Sequence, residues 1–417
     1  MRNDQWIIPD DLLTHYVLRI YALRFLEKEQ KGLIMTSVSI IGIGATDVGE
    51  HWDTSLRHLA WYAIEEALDN AATTNIDALF VGNMLAGTLS HQDHLGALIA
   101  DFSGLRGIEA VTVEAADASG AAALRQGVLA VQSGLVRTAL VVGVEKVTDQ
   151  SGSAPVTALS TAMDADYEAI HGVTPAALAA LMMRRYMYEY GLELADFAGF
   201  SVNAHANGSS NPKAMFRNQL KPERFASGPV IADPVSLFDA APLGDGAAAV
   251  IVTNSERAKD MVPKPVRIAG SALATDRIGL HDRRNVLWLE AAEKSAKLAM
   301  GGAKVAPEDI DVFELHDSFT IMATLSLEAC GFAGAGQGWQ LARDGQIGRD
   351  GQIPISTFGG LKARGNPAGA TGVFQAVEVA KQLRGEAGDC QVNGARIGMA
   401  QNLGGTGATA VTHIFSI

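Results

Sequence analysis

Apolar and polar positions along this chain follow two alternating rhythms. From Met35 onward, short apolar runs rich in small and β-branched residues alternate with longer stretches whose apolar residues recur every three or four positions. The run Ser37–Gly44 predicts a strand, and residues 54–71 predict a helix. Ile76–Gly82 reads as a second strand, His94–Phe102 as a helix, and Glu109–Glu114 as a strand leading into a turn at Asp117. A helix from Ala121 to Ser133 follows. Val136–Val144, a continuous apolar run, closes the first sheet as a strand covered on both faces should.

Residues 150–230 break the rhythm. They carry Ser, Asn, Pro and Met, helical stretches such as Pro175–Tyr190, and no clean strand, so they predict an insertion over the edge of the sheet, where substrate sites tend to sit. Ala241–Val252 then returns to the sheet. The second half repeats the outline, with strands at Val266–Leu273 and Ile310–Leu315 and a helix over Leu287–Met300. A further helix opens at Asn366 and runs to about Leu383, before final strands at Arg396–Met399 and Ala408–Phe415. Asp117-Ala-Ser-Gly-Ala and Asn366-Pro-Ala-Gly-Ala each set a polar residue and a small-residue turn before a long apolar helix. That correspondence predicts an α/β fold of two duplicated halves, 35–255 and 256–417, preceded by an extension over 1–34.

The extension has its own pattern. Leu12, Leu13, Tyr16, Val17, Ile20, Leu23 and Phe25 lie at roughly helical spacing. The stretch is too short and too charged for a membrane span, and Asp10-Asp11 before it is wrong for a secretory signal. It reads either as an amphipathic arm docking on a partner subunit or as sequence preceding a natural start at Met35. The second reading is preferred, because the first strand follows Met35 at once.

Composition narrows the function. A length of 417 residues accommodates two or three cores, and 44 glycines with only 6% aromatic residues suit helices packed closely on a sheet. A net charge of −13 argues against nucleic-acid binding. Cys330 and Cys390 have neither metal-ligand nor disulfide-framework spacing, which predicts a reducing, cytoplasmic setting and two buried bystander thiols. Gly359, Gly360, Gly404, Gly405 and Gly407 form no dinucleotide fingerprint, and neither a metal site nor a cofactor-binding set is predicted.

Six segments, in order, carry a resemblance. They are Gly143–Asp149, Asn211-Pro212, Leu243–Ala249, Glu314–Phe319, Gly359–Gly372 and Gln401–Gly407. With the Asp117-Ala-Ser-Gly turn, they make the chain from Met35 onward similar to the thiolase superfamily, nearest its sterol-carrier-type and archaeal members. The resemblance implies a five-layer αβαβα fold, at least a homodimer, and coenzyme A thioesters as substrates with no covalently bound cofactor. It also implies a small zinc-ribbon/OB-fold acyl-CoA-binding protein as partner, since such relatives tend to work with one.

Carried over by motif, the nucleophilic cysteine of these enzymes is here Asp117, and the histidine of their Gly-His-Pro motif is here Asn366. His316 matches the histidine that helps form one oxyanion hole. Asn402 sits at the fourth motif, and the backbone amides of Asp117 and Gly404 would form the second oxyanion hole. Losing the thiol and its activating histidine together is expected where covalent acyl transfer is no longer performed. The resemblance therefore implies noncovalent aldol or retro-aldol chemistry beside a thioester, with His316 and Asp117 moving the proton. The alternative is a catalytically silent subunit, with Asp117 and Asn366 merely capping helices. Arg184, Arg185, Lys213, Arg217, Lys221 and Arg224 are candidates for coenzyme A phosphates, while His91, His94, His171 and His205 are expected at the surface or in loops.

Overall fold

A computed structural model of the protein describes residues 36–417. The extension over 1–34 lies outside the described residues. Among the described residues there are eleven strands: β1 Val38–Ala45, β2 Ala78–Gly82, β3 Glu109–Val113, β4 Thr138–Glu145, β5 Val230–Ala232, β6 Val235–Ser236, β7 Gly246–Asn254, β8 Val266–Thr275, β9 Val312–Glu314, β10 Ile397–Gly404 and β11 Thr409–Ser416. The principal helices are α1 Leu56–Ala71, α2 Leu95–Phe102, α3 Ser119–Gln132, α4 Pro175–Tyr190, α5 Ala198–Ser210, α6 Glu290–Ala303, α7 Thr320–Ala329 and α8 Thr371–Arg384.

Nine strands form one sheet in the order β3-β2-β4-β7-β1-β8-β11-β10-β9, while β5 and β6 pair separately as a short hairpin. Parallel pairing is confined to the ends, β3-β2-β4 and β10-β9, and all central pairs are antiparallel. The strand expected to close the first sheet, β4, instead lies inside it between β2 and β7. The two halves join where Val38–Ile40 of β1 face Ile268–Val266 of β8.

The helices complete five layers. α1 packs on β1 and β7 from one side, and α6 packs on β8 and β11 from the other. Between them lie α3 and α8, each touching strands of both halves. A helix sandwiched between sheets has no solvent face, and α8 accordingly buries nearly every residue, polar ones included. The two central helices approach backbone to backbone. A Cβ on Gly372 would meet the Ala121 nitrogen at 2.3 Å, and one on Gly120 the Gly369 carbonyl at 2.8 Å. The small-residue turns that mark the duplication are thus what lets the two helix starts meet.

The insertion does more than cover an edge. Met182, Met183, Tyr186 and Phe197 form one apolar cluster with Leu289, Ile321, Met322 and Leu403, so α4 and its neighbours are packed onto the C-terminal half. The β5–β6 hairpin lies at the end of the insertion, in and just beyond a region where no strand was expected. Among the described residues, no helix is long and apolar enough to cross a membrane.

Candidate active site

The meeting of the two helix starts places Asp117 and Asn366 on one cavity of about 190 Å³. Its other polar lining comes from His316, Ser318 and Thr406, with Gly405 beside them. The insertion supplies much of the apolar wall, through Val156, Leu159, Met163 and Pro175, and Ile231 just beyond it adds to that wall. An apolar pocket with a few convergent polar groups is the usual form of a small-molecule site.

Asp117 stands on a tight turn between β3 and α3. Ser119 pins that turn, its Oγ accepting from the Ala115 amide at 2.9 Å and donating to the Ala116 carbonyl at 2.5 Å. Ala116 is held at a φ of 53°, a left-handed conformation that a residue with a Cβ adopts only under constraint. The Asp117 carboxylate does not cap α3; its Oδ2 accepts from the Gly405 amide at 3.3 Å. Burial pushes this carboxyl up to about 6, against the pull of the Gly405 and Asp117 amides, and the Glu114 charge adds to the rise. The residue as a whole is half-buried and lines the cavity.

His316 follows β9 and is buried. Its Nδ1 lies 2.7 Å from Asn402 Nδ2. With the amide nitrogen donating, Nδ1 accepts and the ring proton sits on Nε2, which makes no hydrogen bond among the described residues. Burial, helped by the Arg364 charge, pushes His316 down to about 3, so the ring is neutral at physiological pH. Asn402 lies on β10 and holds His316 without itself lining the cavity.

Asn366 braces its own turn rather than capping α8. Its Oδ1 accepts from the Ala368 amide at 3.0 Å and the Thr371 hydroxyl at 3.4 Å, while no side chain caps α8 itself. Its backbone amide donates to Pro242 O at 2.8 Å, tying the turn to the loop before β7.

Gly404 sits against the Asp117 turn, where a Cβ would meet the Ala115 carbonyl at 2.6 Å. The amide that meets the Asp117 carboxylate is that of the next residue, Gly405. Sequence reasoning also passed over Glu145, although it lies in the quoted Gly143–Asp149 segment. Its carboxylate accepts from Asn83 Nδ2 (2.6 Å), Leu85 N (3.1 Å), Met84 N (2.9 Å) and Gly369 N (3.0 Å), joining β4 to the Asn366 turn. Burial pushes Glu145 up to about 8, opposed by those amides and assisted by the charge of Asp117.

Other expected residues lie elsewhere. None of the six cationic candidates lines this cavity. Arg184 pairs with Asp233, Arg185 with Glu189, and Lys213 with Glu66, while Arg217, Lys221 and Arg224 are exposed. His91, His94 and His171 are exposed, but His205 is buried on α5 with Nδ1 2.9 Å from the Asn218 carbonyl. Cys330 and Cys390 are both buried and outside the cavity lining.

Fold and site together belong to a recognisable class. Residues 38–256 match the family described as "Thiolase, N-terminal domain", and residues 272–417 match "Thiolase C-terminal domain-like". The chain belongs to the thiolase family. It is 46% identical over 384 residues to an acetyl-CoA acetyltransferase of Methanothermobacter thermautotrophicus, covering 92% of this chain and 100% of the relative. It is 31% identical to the benzoylsuccinyl-CoA thiolase subunit BbsB of Thauera aromatica, over 88% of this chain and 94% of that one. Its fold is also that of a chain in the solved "Ltp2-ChsH2(DUF35) aldolase", with a TM-score of 0.80, 24% identity, and coverage of 92% of this chain and 98% of that chain.

Proposed function

We propose that this chain binds acyl-CoA thioesters and makes or breaks the carbon–carbon bond next to the thioester without forming an acyl-enzyme. One observation carries the reading: the Asp117 carboxylate turns away from its own helix and toward a cavity it shares with a neutral His316. A capping aspartate would do the reverse. Covalent transfer would need a thiolate, and burial pushes Cys330 up to about 12 and Cys390 up to about 11.

For a β-hydroxyacyl-CoA, Asp117, ionised above about pH 6, takes the β-hydroxyl proton. The bond between the α and β carbons then breaks, releasing an aldehyde or ketone and leaving the electron pair as a thioester enolate. His316 Nε2–H donates to the enolate oxygen, and Asp117 returns its proton to the α carbon. The reverse sequence is an aldol addition. Asn402 fixes the histidine tautomer, and the amides of Asp117 and Gly404 are proposed to complete the oxyanion environment.

Coenzyme A substrates accord with the names of the acetyl-CoA and benzoylsuccinyl-CoA relatives. The outer edge of β3, with Val111 41% exposed, is open to a strand from a second copy, in keeping with a homodimer. A zinc-ribbon/OB-fold protein is proposed as a further partner, and a cytoplasmic setting accords with two free thiols. Because the Asn366 carboxamide oxygen is engaged within its own turn, the silent-subunit reading keeps one supporting observation.

The test is turnover of a panel of β-hydroxyacyl-CoA thioesters by the purified chain, alone and with the proposed zinc-ribbon/OB-fold protein. Asp117→Ala is expected to lower kcat by roughly 10²–10⁴-fold and His316→Ala by about 10²–10³-fold. If both variants match the wild type on every substrate turned over, the enzyme reading fails and the silent subunit stands.

A further inference from the structure

A second cavity, of about 410 Å³, shares no lining residue with the first. That volume is within the range of small-molecule pockets, about 300–1,000 Å³. It lies between the end of β1, the Asn211–Lys213 segment after α5, the inner face of α8 and the turn around Ala387–Cys390. Val48, Phe358, Phe374 and Val377 give it an apolar wall. Facing that wall are Arg364, Glu378 and Lys381.

Arg364 is only 2% exposed and Glu378 5%. The guanidinium lies 4.9 Å from the centre of the Phe374 ring, and its Nη1 donates to Glu378 Oε1 at 3.2 Å. One edge of the guanidinium is thereby used. Nε and Nη2, which form the side-on edge, are buried with no hydrogen-bond partner among the described residues. This edge is the one that grips a carboxylate through two parallel N–H bonds, and burying such donors without an acceptor is unfavourable. Lys213 and Lys381 add two further positive charges to the cavity lining.

Charge also limits what enters. Glu378, Glu386 and Asp389 stand among its lining residues and match the three lining cations, so a multiply charged anion finds no excess positive charge to hold it. The apolar wall needs a partner as well, which inorganic phosphate lacks. We propose that this cavity binds a small organic monocarboxylate, its carboxylate on the Nε/Nη2 edge of Arg364 and its apolar body against Phe358, Phe374 and Val48. The site is separate from the acyl-CoA cavity and holds whether or not the chemistry proposed above does.

The experiment is calorimetric titration of the full chain with hexanoate, 1-hexanol and inorganic phosphate. Saturable hexanoate binding is expected, at least tenfold tighter than either of the others. Arg364→Lys keeps the charge but loses the fork, and weakens hexanoate at least tenfold. Ala387→Trp, which fills the cavity from a peripheral turn, abolishes binding and carries the test should Arg364→Lys fail to fold. Four results overturn the proposal: no saturable hexanoate binding, phosphate or 1-hexanol binding as tightly as hexanoate, hexanoate binding unchanged in a folded Arg364→Lys, or hexanoate binding unchanged in Ala387→Trp.

Discussion

Replacing Asp117 by Asn separates a functional carboxylate from a structural one. The Asp117 carboxyl rises from 3.8 to about 6 on folding, chiefly through burial. Each pKa unit corresponds to about 1.4 kcal/mol, so an ionised Asp117 disfavours the folded state by roughly 3 kcal/mol. The sign follows from proton counting. Between pH 4 and pH 6 the folded chain holds the proton that the unfolded chain has lost, so wild-type stability falls as pH rises through this window. The amide introduced by Asp117→Asn would keep the shape and could still accept from the Gly405 amide, but carries no charge. Asp117→Asn is therefore expected to be more stable than wild type at pH 8, by up to roughly 3 kcal/mol, and equal to it near pH 4. Denaturant unfolding at both pH values measures this, with turnover assayed on the same samples. A more stable and inactive variant at pH 8 is the signature of a site held at the expense of stability. A variant less stable than wild type at pH 8, with no change of sign toward pH 4, would refute the reasoning.

Other consequences follow from the same contacts. Turnover should rise with pH to a plateau with a midpoint near 6, and show no second inflection from His316, whose protonation lies near 3; a pH–rate profile measures both. Asn402→Ala removes the group that fixes the His316 tautomer and should lower kcat by about 10-fold or more with little change in KM, read by steady-state kinetics. Gly372→Ala drives a methyl group into the Ala121 backbone and should cost about 1–3 kcal/mol or more, seen as a lower denaturation midpoint. Asp117→Cys with Asn366→His restores the thiolase pair, and intact-protein mass spectrometry after acetyl-CoA should then show an acetyl adduct absent from the wild type.

The sequence displays best what is set locally. The helix over Pro175–Tyr190 is legible end to end because Thr174 caps it, Pro175 occupies its first turn, and Gly191 ends it in a left-handed conformation. Strands β1 and β7 announce themselves as continuous apolar runs, buried on both faces. Their neighbours do not: β1 sits between β7 and β8, a pairing of segments more than two hundred residues apart that no local pattern encodes. Apolar spacing in the insertion likewise shows that α4 buries a face, but not that the face meets Leu289 and Ile321. At the site, the duplicated turns made Asp117 and Asn366 visible together. That Asn366 bonds within its own turn while Asp117 reaches out of its own depends on a hydrogen bond from Gly405, nearly three hundred residues from Asp117. Glu145 was hidden for a similar reason, since four donors from two separate segments meet it only in the folded chain.

The central claim is that this cavity stabilises a thioester enolate without a thiol. Proton exchange at the α carbon of an acyl-CoA in deuterated water, followed by NMR, measures enolate formation itself, with no need to know the second substrate. The account predicts deuterium entering the α position with the wild-type chain and its partner, no exchange with Asp117→Asn, and no acyl-enzyme in either sample. Exchange that persists in Asp117→Asn, or its absence from every acyl-CoA the wild type is shown to bind, would contradict it.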